Sequence, residues 1–267
     1  MSVVSPRKLR IRLASGLSAN VLVKGRGAPL FFLHPAQGRT WSGFLDRLAE
    51  RNTVYAPLMP GAEDPEDLAL FDGFSDLALY YDDLFRALGI DTAIVVGHSF
   101  GGMIAAAYAA FFPDRVSALV LLDSLGLSVD GTPIAEFHTT DPSAIAELLF
   151  SDPEGEVAKS VLHAPTPESR VVTRLALGAA THFYRPVAGR DLRRRLYRIT
   201  SPTLLVWGAA DRIVPPVYAG AFAEKIARAK KVLVKGAAHF PHLEKTEDVV
   251  RAIVGFVRVR DAEVASS

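Results

Sequence analysis

One five-residue run limits what this chain can fold into more than any other: Gly97-His98-Ser99-Phe100-Gly101. Residues 93–96 ahead of it (AIVV) are continuously apolar, as in a strand buried on both faces. Residues 100–112 behind it are small and apolar and stop at Pro113, as a buried helix would. A chain that passes from strand to helix within one turn forces the central residue into a strained backbone conformation. Glycine on either side removes side chains that such a turn would bring into collision. The Ser99 hydroxyl is then exposed above the carboxyl end of a sheet. The N–H of Phe100 stands at the start of a helix, where backbone donors lack partners and the dipole favours negative charge. G-x-S-x-G in this setting is expected to present Ser99 as a nucleophile.

The surrounding pattern supplies the sheet. Residues 9–13 (LRIRL) alternate apolar and charged, and residues 19–24 (ANVLVK) follow a Ser15-Gly16 turn, so two half-buried strands open the chain. Residues 29–33 (PLFFL) read as a fully buried strand, and residues 53–56, 116–122, 203–207 and 231–234 as further strands. Helical spacing occupies the stretch from Trp41 to Leu48 and residues 76–88, 217–228 and 246–257, with a frayed tail after Arg260. Alternating strands and helices predict an α/β fold, a mostly parallel twisted sheet flanked by helices after an antiparallel start. The alternation breaks between residues 128 and 189, where six prolines cut helical pieces short. This segment reads as a helical insertion. It divides the core into residues 1–127 and 190–267.

Composition narrows the function classes. With 30 basic and 29 acidic side chains in 267 residues, no charge excess argues for a nucleic-acid partner. The basic run at residues 190–198 is read as a solvated helix face. The absence of cysteine excludes disulfides, thiolate metal sites and a cysteine nucleophile. The N-terminal residues carry charge where a signal peptide needs an apolar core, and the most apolar stretch, residues 103–112, is too short to span a bilayer. A soluble cytoplasmic protein with no membrane partner is expected. Its oligomeric state is left open.

A serine hydroxyl is almost wholly protonated at neutral pH and needs a base. Of seven histidines, His239 follows the strand at residues 231–234 through Gly236-Ala237-Ala238, which sets it at the same sheet edge as Ser99. His242 is its rival. The imidazole needs an orienting carboxylate. Asp211 follows the strand at residues 203–207 through Gly208-Ala209-Ala210, and Asp123, at the end of LVLLD, is the competitor. An oxyanion needs two backbone donors. Phe100 supplies one; in the loop His34-Pro35-Ala36-Gln37-Gly38, proline has no N–H, so Ala36 is the second. His34 is read as bracing that loop.

Four segments, FFLHPAQG, VVGHSFGG, LLVWGAADRIVP and GAAHFPHLEKTEDV, together resemble the α/β-hydrolase superfamily, in its esterase-like branch with a helical cap. The order Ser99, Asp211, His239 is that superfamily's order. Two departures stand out: His34-Pro35 where His-Gly is common, and PGAEDPED from Pro60 where relatives carry a Gly-rich turn and serine. The resemblance implies a cap over residues 128–189, with Phe137, Phe183 and Phe240 as candidate pocket residues. His138, His163, His182 and Tyr184 are further candidates.

Within the superfamily, Ser99 argues against dehalogenases and epoxide hydrolases, which use aspartate. The carbon–carbon hydrolases of ring-cleavage products typically show asparagine before the nucleophile and tryptophan after the base; here these positions hold His98 and Phe240. The expectation is a serine esterase or lactonase acting on a small, partly apolar molecule through an acyl-enzyme, with no metal or organic cofactor. A carbon–carbon hydrolase and a slow-turnover small-molecule receptor of the same fold are the alternatives.

Overall fold

The computed structural model describes residues 5–38, 41–135, 142–162, 166–184 and 190–265. Eight strands form one sheet: β1 (Arg7–Arg12), β2 (Ser18–Lys24), β3 (Ala28–Leu33), β4 (Asn52–Pro57), β5 (Ala93–His98), β6 (Val116–Leu122), β7 (Thr203–Gly208) and β8 (Ala229–Val234). Their order is β1-β2-β4-β3-β5-β6-β7-β8. β2 pairs antiparallel with β1 and β4, and every other pairing is parallel. The antiparallel entry into a parallel core matches the sequence pattern. Charged side chains concentrate on the two edges, Arg7, Lys8, Arg10 and Arg12 on β1 and Lys230 and Lys231 on β8. Charge there discourages edge-to-edge pairing.

The apolar central strands divide their side chains between two layers. Phe31 and Leu33, Val95, Leu119 and Leu121, and Leu205 and Trp207 face one core. The intervening Leu30 and Phe32, Ile94 and Val96, Val120 and Leu122, and Leu204 and Val206 face the other. The period of two along a strand explains why these runs carry no polar gap. Burial of each such side chain contributes about 1.5–3 kcal/mol.

Helices α1 (Gly43–Ala49), α2 (Phe74–Ala87) and α3 (Phe100–Phe111) belong to the first half. Between β6 and β7 come α4 (Pro142–Leu149), α5 (Glu156–Leu162), α6 (Pro167–Tyr184) and the short α7 (Arg190–Arg193). The second half adds α8 (Val217–Ala223), α9 (Pro241–Glu244) and α10 (Thr246–Ala265). Phe44, Leu45 and Leu48 of α1 and Val249 and Ile253 of α10 cover one sheet face. Leu84 and Phe85 of α2, Met103 and Tyr108 of α3 and Phe222 of α8 cover the other.

Three details differ from the sequence reading. α8 stops at Ala223 rather than reaching residue 228, because Lys225 and Ala229 each donate to the carbonyl three residues back and tighten the chain into turns. The tail is helical as far as Ala265: after Gly255 no glycine or proline interrupts it, and Arg260 anchors it to Ser117 Oγ at 3.0 Å. The basic run is only partly a solvated face, since Leu192 and Leu196 bury themselves within it and Arg195 lies 5.3 Å over the Phe111 ring. Among the described residues, no helix is long and apolar enough to cross a membrane.

Candidate active site

β3 lies between β4 and β5, so the chain leaves β3 in one direction and returns on the other side of it. Ligand crevices form outside the carboxyl ends of strands at such a switch point. The two loops that flank it are His34–Gly38, after β3, and the turn at Ser99, after β5.

Ser99 has φ 54° and ψ −115°, a left-handed conformation that a serine seldom adopts. Its neighbours explain how it is held. A Cβ on Gly97 would collide with the Gly101 carbonyl, and one on Gly101 with the Leu33 carbonyl, so close backbone approach requires glycine at both positions. Ser99 N–H donates to the Leu122 carbonyl at 2.9 Å, and Leu125 N–H donates to the Ser99 carbonyl at 3.1 Å. The turn is thereby tied to the end of β6. Strain persists where surrounding structure over-determines it.

The structure brings Ser99, His239 and Asp211 into a line. Ser99 Oγ and His239 Nε2 are 3.0 Å apart, and His239 Nδ1 and Asp211 Oδ2 are 2.9 Å apart. Asp211 Oδ1 accepts the N–H groups of Ile213 (2.8 Å) and Val214 (3.0 Å), which leaves Oδ2 for the imidazole. The Asp211 loop is braced by Trp207 Nε1, which donates to the Val214 carbonyl at 2.8 Å. Asp123 makes no such contact with the imidazole and instead accepts Gly208 N–H at 2.8 Å.

Both other histidines of the cluster are buried. His98 lies with Nε2 2.6 Å from the His239 backbone carbonyl, and since a carbonyl only accepts, Nε2 carries the proton. Burial first, then the charges of His242 and His239, hold His98 well below the usual histidine range. His242, the rival base, is packed among rings: its centroid is 4.5 Å from His98, 5.1 Å from Phe44 and 6.0 Å from Phe32. Burial lowers its pKa to about 3, with the His239 charge adding to the effect.

His34 bridges two loops. Its Nε2 accepts Met59 N–H at 3.0 Å, so Nδ1 holds the proton and donates to the Pro35 carbonyl at 2.7 Å. Ala36 and Phe100, the two candidate oxyanion donors, line the same cavity as Ser99 and His239. Gly38 N–H donates to the Pro35 carbonyl at 3.0 Å, which folds Pro35 to Gly38 into a turn.

That cavity has a volume of about 520 Å³ and is mostly apolar. Leu125, Leu127, Ile134, Leu149 and Ile213 form much of its wall. One face of α6 completes it, through Leu177, Ala180, Thr181 and Tyr184. The spacing of three and four residues sets these four on one side of the helix. Phe183 lies off that face, fully buried with its ring 5.3 Å from Phe71, so it belongs to the core and not to the cavity wall. Phe240 is likewise packed inside, stacked on Phe150 at 5.2 Å and against His98 at 4.7 Å. Both therefore depart from the pocket role expected of them. Phe137, His138 and His163 lie outside the described residues.

Glu244 escaped the sequence reading. Its Oε2 accepts Ala238 N–H at 2.7 Å and its Oε1 accepts Ser151 N–H at 2.7 Å, which fastens the His239 loop to the end of α4. Nothing local in HLEKTED sets this acid apart from its neighbours. Only the return of residue 151 beside it reveals the contact. Asp123, Asp211 and His239 offer ligand atoms within 4.8 Å of one another. Both His239 nitrogens are already engaged by Ser99 and Asp211, so no ring lone pair is free to hold an ion there.

Residues 30–252 match the model of the alpha/beta hydrolase family. The chain is 28% identical to a 2-hydroxymuconate semialdehyde hydrolase of Pseudomonas putida, over 97% of this chain and 97% of that one. In structure it is similar to a bacterial membrane phospholipase A described as a virulence factor, with TM-score 0.78 and 21% identity over 96% of this chain and 87% of that one. It is also similar to the naproxen esterase of Bacillus subtilis, with TM-score 0.73 and 17% identity over 95% of this chain and 92% of that one.

Proposed function

The chain belongs to the alpha/beta hydrolase family, and from that premise we propose that it is a serine esterase or lactonase for small, partly apolar molecules. The observation that carries this reading is the line Ser99 Oγ–His239 Nε2–Asp211 opening into a mostly apolar cavity of about 520 Å³. Helices α4 to α6, within residues 128–189, serve as the cap, and α6 supplies part of the cavity wall.

The reaction is a double displacement. Ser99 Oγ attacks the carbonyl carbon while His239 Nε2 takes its proton, and Asp211 stabilises the imidazolium. The N–H groups of Ala36 and Phe100 hold the oxyanion. Collapse breaks the bond to the leaving alkoxide, which departs with the proton from His239. Water, deprotonated by His239, then attacks the acyl-enzyme, and the acid leaves as Ser99 recovers its proton.

The identity to a 2-hydroxymuconate semialdehyde hydrolase favours a second reading, a carbon–carbon hydrolase of ring-cleavage products. The wall lends more support to the ester reading. A carboxylate-bearing product would lie against Leu125, Leu149 and Ile213, which suit an acyl chain better. Steady-state assays with short p-nitrophenyl esters, simple lactones and a ring-cleavage product decide between them. Ester turnover is expected, with covalent phosphonate labelling confined to Ser99 and lost in Ser99→Ala. Turnover of the ring-cleavage product alone favours the second reading. A folded protein that binds these compounds without turnover is a receptor.

A further inference from the structure

Asp123 stands beside the line of catalytic groups without belonging to it. It directly follows β6, is fully buried, and has φ 43°. This is left-handed backbone, which aspartate and asparagine tolerate better than most side chains. Oδ1 accepts Gly208 N–H at 2.8 Å, and among the described residues no donor reaches Oδ2. With ligand atoms of Asp123, Asp211 and His239 all within 4.8 Å, two carboxyl groups share one buried pocket with one imidazole.

Two close carboxylates in such a pocket do not both ionise; one keeps a proton. The donors around each group decide which. Asp211 accepts three hydrogen bonds, from Ile213, Val214 and His239, whereas Asp123 accepts one. We infer that Asp123 is a neutral, proton-bearing positioning residue whose Oδ2–H donates to the Asp211 carboxylate and fixes it against His239. This rests on the reading of Ser99, His239 and Asp211 as the catalytic line.

Burial, then the charge of Asp211 and a side-chain hydrogen bond to it, push the Asp123 carboxyl well above the usual carboxylate range. Gly208 N–H opposes the rise, and the Glu244 charge adds least to it. The groups facing Asp123 are thus Gly208 at the end of β7 and Asp211 after it, and His239 and Glu244 after β8. The arrangement has a chemical consequence. A single negative charge beside His239 balances the imidazolium that forms when Ser99 attacks. A second would hold that proton back from the leaving alcohol. Through the cycle the proton stays on Asp123, and no bond to it breaks.

Infrared difference spectra of protein labelled with ¹³C-aspartate test the protonation directly. At pH 7 the wild type is expected to show the carbonyl stretch of an un-ionised acid, and Asp123→Asn to lack it. Kinetics test the positioning. Asparagine keeps an acceptor for Gly208, gives an N–H to Asp211 and tolerates φ 43°. Glycine tolerates the backbone but removes both contacts. Asp123→Gly should lower kcat about 10- to 100-fold with little change in KM, and Asp123→Asn should recover most of that loss. Absence of the acid band, or an asparagine variant as slow as Asp211→Asn, overturns the inference. If the glycine variant fails to fold, the spectrum and the asparagine variant still decide. If the wild type turns over no ester, the proposed function fails while the infrared result still decides the protonation of Asp123.

Discussion

The ring of His98 donates from Nε2 to the backbone carbonyl of His239 at 2.6 Å. The residue before the serine thereby holds the backbone of His239, the base of the proposed mechanism. Ser99 and His239 are 140 positions apart, and this bond joins their two loops independently of the Oγ–Nε2 contact. His98→Ala should leave a buried carbonyl unpaired and cost about 1–3 kcal/mol of stability, read from urea unfolding. The same change should lower kcat more than it raises KM. His98→Gln, whose amide reaches a similar distance, should restore part of both. An alanine variant with unaltered kcat would show that the loops keep register without the bond.

Acid stability should report the buried histidines. His98 and His242 are both held below the ordinary histidine value by burial, His242 at about 3. The unfolded chain therefore takes up protons near pH 6.5 that the folded state refuses. Stability falls as pH drops from about 6.5 towards 3. For His242 alone the loss between pH 7 and pH 5 amounts to about 2 kcal/mol. His242→Phe, placed among Phe32 and Phe44, removes that uptake. Its stability relative to wild type should rise by a similar amount over the same interval, measured by urea midpoints. A pH-independent difference would mean that His242 charges freely in the fold.

Ala36→Pro should separate the oxyanion contribution from binding. Ala36 is the second residue of the turn closed by Gly38 N–H and the Pro35 carbonyl, a position where proline is well tolerated. The substitution deletes one N–H. Loss of one such donor costs about 2.7–4 kcal/mol of transition-state stabilisation, on the order of a hundredfold or more in kcat. KM for a short p-nitrophenyl ester should change far less. A melting curve must accompany the kinetics. Undiminished kcat in a folded variant would place the second donor elsewhere.

The wall of α6 should set chain-length preference. Leu177 and Thr181 line the cavity, whereas Phe183 packs on Phe71. Leu177→Trp and Thr181→Phe fill space, so they should move the preferred p-nitrophenyl ester towards shorter acyl chains while acetyl-ester kcat stays within a few-fold. Phe183→Leu should lower stability by about 1–3 kcal/mol through lost core packing and leave the ranking of esters unchanged. A reversed pattern, with Phe183 governing the ranking, would relocate the binding cavity.

The adjacency of Ser99, His239 and Asp211 was legible in the sequence because it depends on local order. A buried strand, a glycine-flanked serine and a helix can join only by a sharp turn, and Ser99 has the left-handed φ that such a turn demands. Asp211 and His239 each follow a strand through a small-residue turn, and a parallel sheet gathers all such turns at one edge. The antiparallel entry of β1 and β2 was equally visible in their alternation. Direction around a helix or turn was not legible. His239 and His242 differ by three residues, yet one meets Ser99 and the other Phe44, because the intervening turn into α9 rotates the second away. Phe183 and Tyr184 are adjacent, and the phase of α6 sends the first to the core and the second to the cavity. Asp123 and Asp211 are 88 positions apart and become neighbours only because β6 and β7 pair. Local sequence determined which groups stand at the sheet edge. Strand pairing and side-chain packing, which are long-range and cooperative, decided which of those groups touch.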